Sequence, residues 1–211
     1  MFTGIVQGKC IVTAVDNFHG GRKLKIRLQI LLDNLKKGAS VSVNGVCLTV
    51  VNLDEDCAEF DIVQESIDKS NLGDLIVGDL VNIERACSFG DEVGGHSVTG
   101  HVDCTGIIKD IHQKPNNYEL VVSCEKKWII YLIPKGWISI DGVSLTVVDV
   151  GSDYFNISLI PETLSQTVLG KKTKGDTVNL EFDHTTKVIV HTVERMLTNN
   201  SKLLRSTTTK K

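Results

Sequence analysis

The feature that most constrains this chain is that it repeats itself. Residues 43–84 read VNGVCLTVVNLDEDCAEFDIVQESIDKSNLGDLIVGDLVNIE, and residues 140–181, a shift of 97, read IDGVSLTVVDVGSDYFNISLIPETLSQTVLGKKTKGDTVNLE. Without a gap, 15 of these 42 positions are identical, and the matches fall in blocks. Gly45-Val46 matches Gly142-Val143, LTVV at 48–51 matches LTVV at 145–148, and Gly78-Asp79 matches Gly175-Asp176. Upstream, Thr3 and Gly4 align with Thr99 and Gly100 at a shift of 96. Two copies are too few for a solenoid, so each copy is expected to be a domain in its own right.

Each copy reads as strands. Short Val- and Ile-rich runs such as CIVTAV, VSVNGVCLTVV and LVNIERA are punctuated by Gly, Asn and Asp. The Asn44-Gly45 and Asp141-Gly142 steps lie between β runs and predict tight hairpin turns. A short chain of strands disposes of its sheet edges by closing on itself. The expected fold is therefore all-β: a tandem duplication of two small antiparallel Greek-key barrels followed by a C-terminal α-helix. The expected boundaries are 1–92, 93–184 and 185–211. Short helices are expected at 29–35, 65–72, 126–133 and 163–169. In 185–197 the residues Ile189, Val193, Met196 and Leu197 recur at helical spacing. This segment has no counterpart after the first copy, and a lone amphipathic helix must cover something, either its own barrels or, as the favoured reading, a neighbouring chain. The last residues, SKLLRSTTTKK, read as a frayed end.

Composition excludes several classes. Of 211 residues, 23 are basic and 26 acidic, giving a formal charge of −3, with no basic block suited to nucleic acid. No apolar run is long enough to cross a bilayer, and the opening MFTGIVQGKC lacks the layout of a secretory signal. A cytoplasmic protein with reduced thiols is expected, because the six cysteines are scattered without a CxxC pair. Two glycosylation sequons, at Asn156 and Asn199, then read as chance matches.

Duplication creates two similar pockets, which suits either a reaction between two like substrates or a binding protein with one or two sites. Where the copies differ, their roles diverge. Cys47 is replaced by Ser144 within an otherwise equal turn, His101 stands where the first copy has Ile5, and Asp141 and Asp183 face Asn44 and Ala86. The second pocket gains the more reactive set. His101 reads as a histidine available for proton transfer, whereas His96 fits better as a satisfied core or turn histidine. His96, His101, Asp103 and Cys104 match no standard zinc spacing, so no metal is expected. Ser144, His101 and Asp183 invite a hydrolase triad, but GVSLT is no GxSxG elbow. Neither GxGxxG nor GxxxxGK[ST] occurs, so no dinucleotide or nucleoside triphosphate is indicated.

The motifs MFTGIV, VNGVCLTV, GGHSVTGHVD, IDGVSLTV and IPETL together resemble the riboflavin synthases of the lumazine-dismutating, two-barrel type, over residues 1 to about 197. The resemblance implies a cofactor-free reaction of two molecules of 6,7-dimethyl-8-ribityllumazine. It also implies a homotrimer with its C-terminal helices at the axis, sites between neighbouring chains, and lumazine synthase as a further candidate partner. Carried over by motif, the first-barrel pocket would comprise Gly4, Ile5 and Val6, then Cys47, Leu48 and Thr49, then Asp61, Ile62, Val63, Gln64, Glu65 and Ser66. The repeat maps these onto Gly100, His101 and Val102, then Ser144, Leu145 and Thr146, then Ser158, Leu159, Ile160, Pro161, Glu162 and Thr163. Lys135 would reach the neighbouring chain's site. Main chain near 62–64 and 159–161 would read the pyrimidine edge. Thr49, Ser66, Thr146, Thr163, Glu65 and Glu162 would bond the ribityl hydroxyls. Ser144, His101 and Asp183, with Cys47 and Asp141, are the candidates for proton transfer and nucleophile activation. Non-catalytic relatives, the lumazine proteins, supply the alternative of a chromophore carrier.

Overall fold

Strands form where apolar residues alternate with polar ones, because a strand turns successive side chains to opposite faces of its sheet. The computed structural model describes residues 1–114 and 117–208. In the first half, β1 (Gly8–Phe18), β2 (Gly21–Arg27), β3 (Ser40–Val43), β4 (Val46–Leu53), β5 (Cys57–Val63) and β6 (Leu80–Arg85) close into a barrel in the order β1-β2-β5-β4-β3-β6. The second half repeats that circuit with β7 (Cys104–Lys114), β8 (Asn117–Ser123), β9 (Trp137–Ile140), β10 (Val143–Val150), β11 (Tyr154–Leu159) and β12 (Thr177–Phe182). Every pairing is antiparallel, and strands β3, β4 and β5 with β2 lying beside β5 make a Greek key. Each barrel encloses its own apolar core, around Leu24, Ile26, Phe60 and Ile83 in the first and Leu120, Phe155, Ile157 and Leu180 in the second.

The expected helices are present but shorter. The 29–35 segment is a 3₁₀ turn, Gln29–Leu32, followed by Asn34 at φ +59. The 65–72 segment divides into α1 (Gln64–Lys69) and a 3₁₀ turn at Asn71–Gly73, with extended Ser70 between them. The 126–133 segment is the single turn α2 (Lys126–Ile129). The 163–169 segment divides into α3 (Pro161–Gln166), with proline in its first turn, and a 3₁₀ turn at Val168–Lys171.

The terminal helix is longer than its apolar spacing indicates. α4 runs His184–Thr208, so the backbone of most of SKLLRSTTTKK is helical, and residues 209–211 lie outside the described residues. Asp183 caps it, accepting from Thr186 N at 2.7 Å and Thr186 Oγ1 at 2.8 Å. Lys187 Nζ bonds both Asp103 carboxylate oxygens at 2.8 Å, Tyr131 Oη meets His191 Nε2 at 3.1 Å, and Val190 packs on the second core. These contacts fix the first two turns to the second barrel. Beyond them Val193, Met196 and Leu197 are 49–64% exposed.

The barrels meet through their hairpins. Asn44 and Gly45 have φ +46 and +82, and Asp141 and Gly142 +45 and +82, the type I′ geometry that the sequence predicts. The two turns stack so closely that a Cβ on Gly45 would stand 2.7 Å from Gly142 N. Around them lies a buried polar network related by the repeat. Asn82 Oδ1 accepts from Val168 N at 2.8 Å, and Asn179 Oδ1 accepts from Asn71 N at 2.7 Å. Asn82 Nδ2 donates to the Asp141 carbonyl and Asn179 Nδ2 to the Asn44 carbonyl, at 2.9 and 2.8 Å.

Asp141 belongs to this network, which corrects its expected place in a reaction site. It is wholly buried, and its Oδ1 accepts from Asn71 Nδ2 at 3.0 Å and Asn179 N at 2.8 Å. Burial pushes its carboxyl up, while the Lys172 ammonium, 3.7 Å from Oδ2, pulls it down. Its work is to hold two domains together.

Candidate functional site

The strand β4 turns Val46, Leu48 and Val50 into the barrel and Cys47 and Thr49 outward, and β10 does the same with Val143, Leu145, Val147 against Ser144 and Thr146. The nucleophile-type side chains therefore face away from their own cores because the strand period is two. Leu48 and Leu145 point inward and can offer a ligand only their main chain.

Each outward face is met by a Thr-Gly loop. Glu84 on β6 accepts from Thr3 N at 2.7 Å, Thr3 Oγ1 at 2.9 Å and Gly4 N at 3.1 Å. Glu181 on β12 accepts from Thr99 N at 2.7 Å, Thr99 Oγ1 at 2.8 Å and Gly100 N at 2.9 Å. Burial pushes both carboxyls up, and the bonds from the loop pull them back.

So anchored, each loop leans on the opposite barrel. Gly4 O accepts from Ser144 N at 2.8 Å, and Gly100 O accepts from Cys47 N at 2.8 Å. Phe2 and Val98 exchange backbone bonds of 2.8 and 3.0 Å between the loops. Val6 packs on the second core and Val102 on the first.

This corrects the grouping that the repeat alignment suggests. Gly4, Ile5 and Val6 lie with Ser144, not Cys47, and Gly100, His101 and Val102 lie with Cys47, not Ser144. The first-barrel cleft, about 280 Å³, is lined by Val46, Cys47, Glu65, Ser66, Lys69, Ser70, Gly100, His101 and Val102. Lys69 bonds Glu65 at 2.7 Å across one turn of α1, and this bond holds the Glu65 carboxyl below its ordinary value. A wider cleft of about 410 Å³, lined by Asn71, Asp74 and Lys172 among others, carries no cysteine, serine or histidine.

On the second barrel the partner of Ser144 is His96. His96 Nδ1 and Ser144 Oγ are 2.7 Å apart, His96 N donates to Thr3 O at 3.1 Å, and the imidazole is 4% exposed. Burial lowers the His96 pKa from its ordinary 6.5, opposed by the charge of Asp183. The imidazole is thereby kept neutral near pH 7, the form able to accept a proton. Asp183 thus both caps α4 and acts on His96.

His96 is the buried, hydrogen-bonded histidine that the sequence predicts, and it, rather than His101, lies against Ser144. Its signal in the sequence is the Gly94-Gly95-His96 run immediately ahead of the second copy's Thr-Gly loop. Gly95 is required there: a Cβ would stand 2.7 Å from Ser144 Cβ.

The remaining expected residues are spread over β4, β5 and α1 in the first half and β10, β11 and α3 in the second, with Lys135 ahead of β9. Thr49, Asp61, Val63, Gln64 and Glu65 are exposed and Ser66 is half-buried; Ile62 is buried in the first core. In the second half Thr146, Ser158, Ile160, Pro161 and Glu162 are exposed, Thr163 is half-buried, and Leu159 is buried. Lys135 is exposed at φ +69, its N donating to Val147 O at 2.8 Å. Among the described residues no group of three or more His, Cys, Asp and Glu is placed to hold a metal ion.

The fold defines a tandem-barrel protein in which each half's Thr-Gly loop leans crosswise on the outward strand face of the other. The lumazine binding domain family matches residues 3–86 and again 99–183. Riboflavin synthase of Escherichia coli is 44% identical over 199 residues, 93% of each chain, and that of Chlamydia pneumoniae 42% identical over 203 residues, 96% of this chain and 100% of that one. Among solved structures, LumP complexed with riboflavin superposes with a TM-score of 0.80 at 30% identity, covering 87% of this chain and all of that one. LumP complexed with 6,7-dimethyl-8-(1'-D-ribityl) lumazine gives 0.79 at 28% identity. The chain belongs to the riboflavin synthase family, built from two lumazine-binding domains.

Proposed function

We propose that this chain converts two molecules of 6,7-dimethyl-8-ribityllumazine to riboflavin and 5-amino-6-ribitylaminouracil by moving a four-carbon unit from one to the other, the last step of riboflavin biosynthesis. The observation that carries this reading is the repeat-related pair of outward strand faces, Cys47 on β4 and Ser144 on β10, each met by the other half's Thr-Gly loop. A reaction whose two substrates are the same molecule needs two similar sites, and holding both substrates supplies the proximity a bimolecular step otherwise lacks.

The 7-methyl group of a lumazine is acidic, so the reaction needs a base and a polar setting for the resulting anion. Neutral His96 paired with Ser144 meets the first need on the second barrel, with Asp183 tuning the imidazole. Cys47 and His101 are the corresponding groups of the first cleft. Main chain at 62–64 and 159–161 is suited to the pyrimidine edge, and Thr49, Ser66, Thr146 and Thr163, with Glu65 and Glu162, to the ribityl hydroxyls.

The same reading includes a cytoplasmic homotrimer. Its support is the exposed apolar face of α4 at Val193, Met196 and Leu197, which a neighbouring chain would cover; the exposed Lys135 would then be available to that neighbour's site. Association with lumazine synthase would deliver the substrate directly and is tested by co-purification.

The decisive experiment supplies purified protein with 6,7-dimethyl-8-ribityllumazine alone. Appearance of riboflavin absorbance supports the enzyme, and a marked but incomplete fall in its rate on Ser144→Ala and His96→Gln supports the assigned site. Tight lumazine binding with no riboflavin would replace the enzyme with a chromophore carrier of the kind represented by LumP.

A further inference from the structure

Trp137 stands out because it is a large aromatic residue left 52% exposed on β9, yet it has an ordered partner. Its ring lies 5.7 Å from the His96 ring with the planes 11° apart, an offset stack. Stacking covers a face of the imidazole and leaves its edges free. One edge carries Nδ1, 2.7 Å from Ser144 Oγ, and Nε2 has no hydrogen-bond partner among the described residues. The only other bond to His96 comes through its backbone, to Thr3 O. The single side-chain bond fixes one edge of the ring, and the near-parallel indole forms a wall along its face.

The two halves of the chain support this independently. Trp137 pairs with Thr146 in the second barrel, and at the same register Ser40 pairs with Thr49 in the first. Ser40 stands where the second half has Trp137, so the indole belongs to the half whose strand face His96 meets.

We propose that Trp137 is a positioning residue for the reaction: its indole holds the His96 imidazole in the plane that aims Nδ1 at Ser144. The proposal rests on the riboflavin synthase reading. The groups facing His96 are Ser144 from β10, Trp137 from β9, the Thr3 carbonyl from the amino-terminal loop, and Asp183 from the start of α4, the one charged group among them.

The test uses the full chain carrying Trp128→Phe, which leaves Trp137 as the sole indole. Trp128 Nε1 is buried without a partner, so removing it strands no acceptor. Protonated imidazole quenches a stacked indole. The emission of Trp137 should therefore fall as pH drops below 6.5, the ordinary histidine value, with folding followed by circular dichroism, and the transition should vanish in His96→Gln. A titration unchanged by His96→Gln overturns the stack.

In turnover, Trp137→Ala should lower kcat at least about tenfold with KM near the parent value, since small misplacements of a reacting group cost up to about a hundredfold. Trp137→Phe, which keeps a flat ring, should restore most of the loss. In a His96→Gln background Trp137→Ala should add nothing. Losses that multiply, or a rise in KM with kcat kept, overturn the proposal and make Trp137 a direct ligand contact. A parent protein without turnover refutes the function on which the proposal rests, and the emission titration still decides whether Trp137 holds His96.

Discussion

Gly100 offers a sharp test of the crosswise site, because a single methyl group there strikes the opposite barrel. Its φ is +81, and a Cβ would stand 2.5 Å from Cys47 Cβ, 2.9 Å from Cys47 N and 3.0 Å from Phe2 Cε2. In Gly100→Ala the left-handed backbone costs about 1–2 kcal/mol. The loop must also retreat from β4, breaking the 2.8 Å bond from Cys47 N to Gly100 O. Leaving a partly buried donor unpaired costs about 1–3 kcal/mol. Gly78→Ala is the control, since Gly78 has φ +101 with nothing within 4 Å of a new Cβ, and so carries the backbone strain alone. Urea unfolding should therefore show Gly100→Ala less stable than Gly78→Ala by about 2 kcal/mol. Turnover should fall in Gly100→Ala as His101 leaves the Cys47 cleft and stay near the parent value in Gly78→Ala. Equal stability losses and equal activities would refute the contact between the second-half loop and the first barrel.

Three further outcomes follow from the same geometry. Lys172→Leu strands the buried Asp141 carboxylate and should cost about 3–5 kcal/mol in urea unfolding. Adding Asp141→Asn recreates the Asn44 and Leu75 of the first half and should recover most of that loss; a double variant as unstable as the single would contradict the ion pair. For pH, the folded His96 pKa lies below 6.5, so the unfolded chain binds more protons just under that value, and stability is lost as pH falls through the window. The same protonation should give turnover an acid limb below pH 6.5 that disappears in His96→Gln, measured as kcat against pH. Finally, deleting residues 193–211 removes the exposed apolar face of α4 but keeps its Lys187, Val190 and His191 anchors. Light scattering should find monomers with both barrels folded, and an unchanged mass would exclude the helix from assembly.

Much of the fold was legible because it depends on local periodicity and on repetition. The period-two pattern of VCLTVVNL and VSLTVVDV gave both β4 and β10 with their outward Cys47 and Ser144, and the Asn-Gly and Asp-Gly steps gave both type I′ turns. The crosswise loops were not legible for a reason of symmetry. Whether Gly4 meets Cys47 or Ser144, the aligned copies read the same, so duplication reveals equivalent residues but not which copy each one touches. Contrast between the copies does not single out His96, because it lies ahead of the aligned blocks. Asp141 reads as reactive because it faces Asn44 in the other copy, and its burial between the barrels depends on contacts from Asn71 and Asn179, far away in the chain. The apolar spacing of α4 stops at Leu197, before TNNS, while its helical backbone continues to Thr208.

The central claim is that two identical substrates meet and react in one protein, each serving the other. Anaerobic incubation with 6,7-dimethyl-8-ribityllumazine alone, quantifying all three compounds, tests it most directly. The account predicts two lumazines consumed for every riboflavin formed, with one 5-amino-6-ribitylaminouracil released and no other reactant needed. Riboflavin formed one for one with lumazine, or formed only when a second carbon source is added, would contradict it.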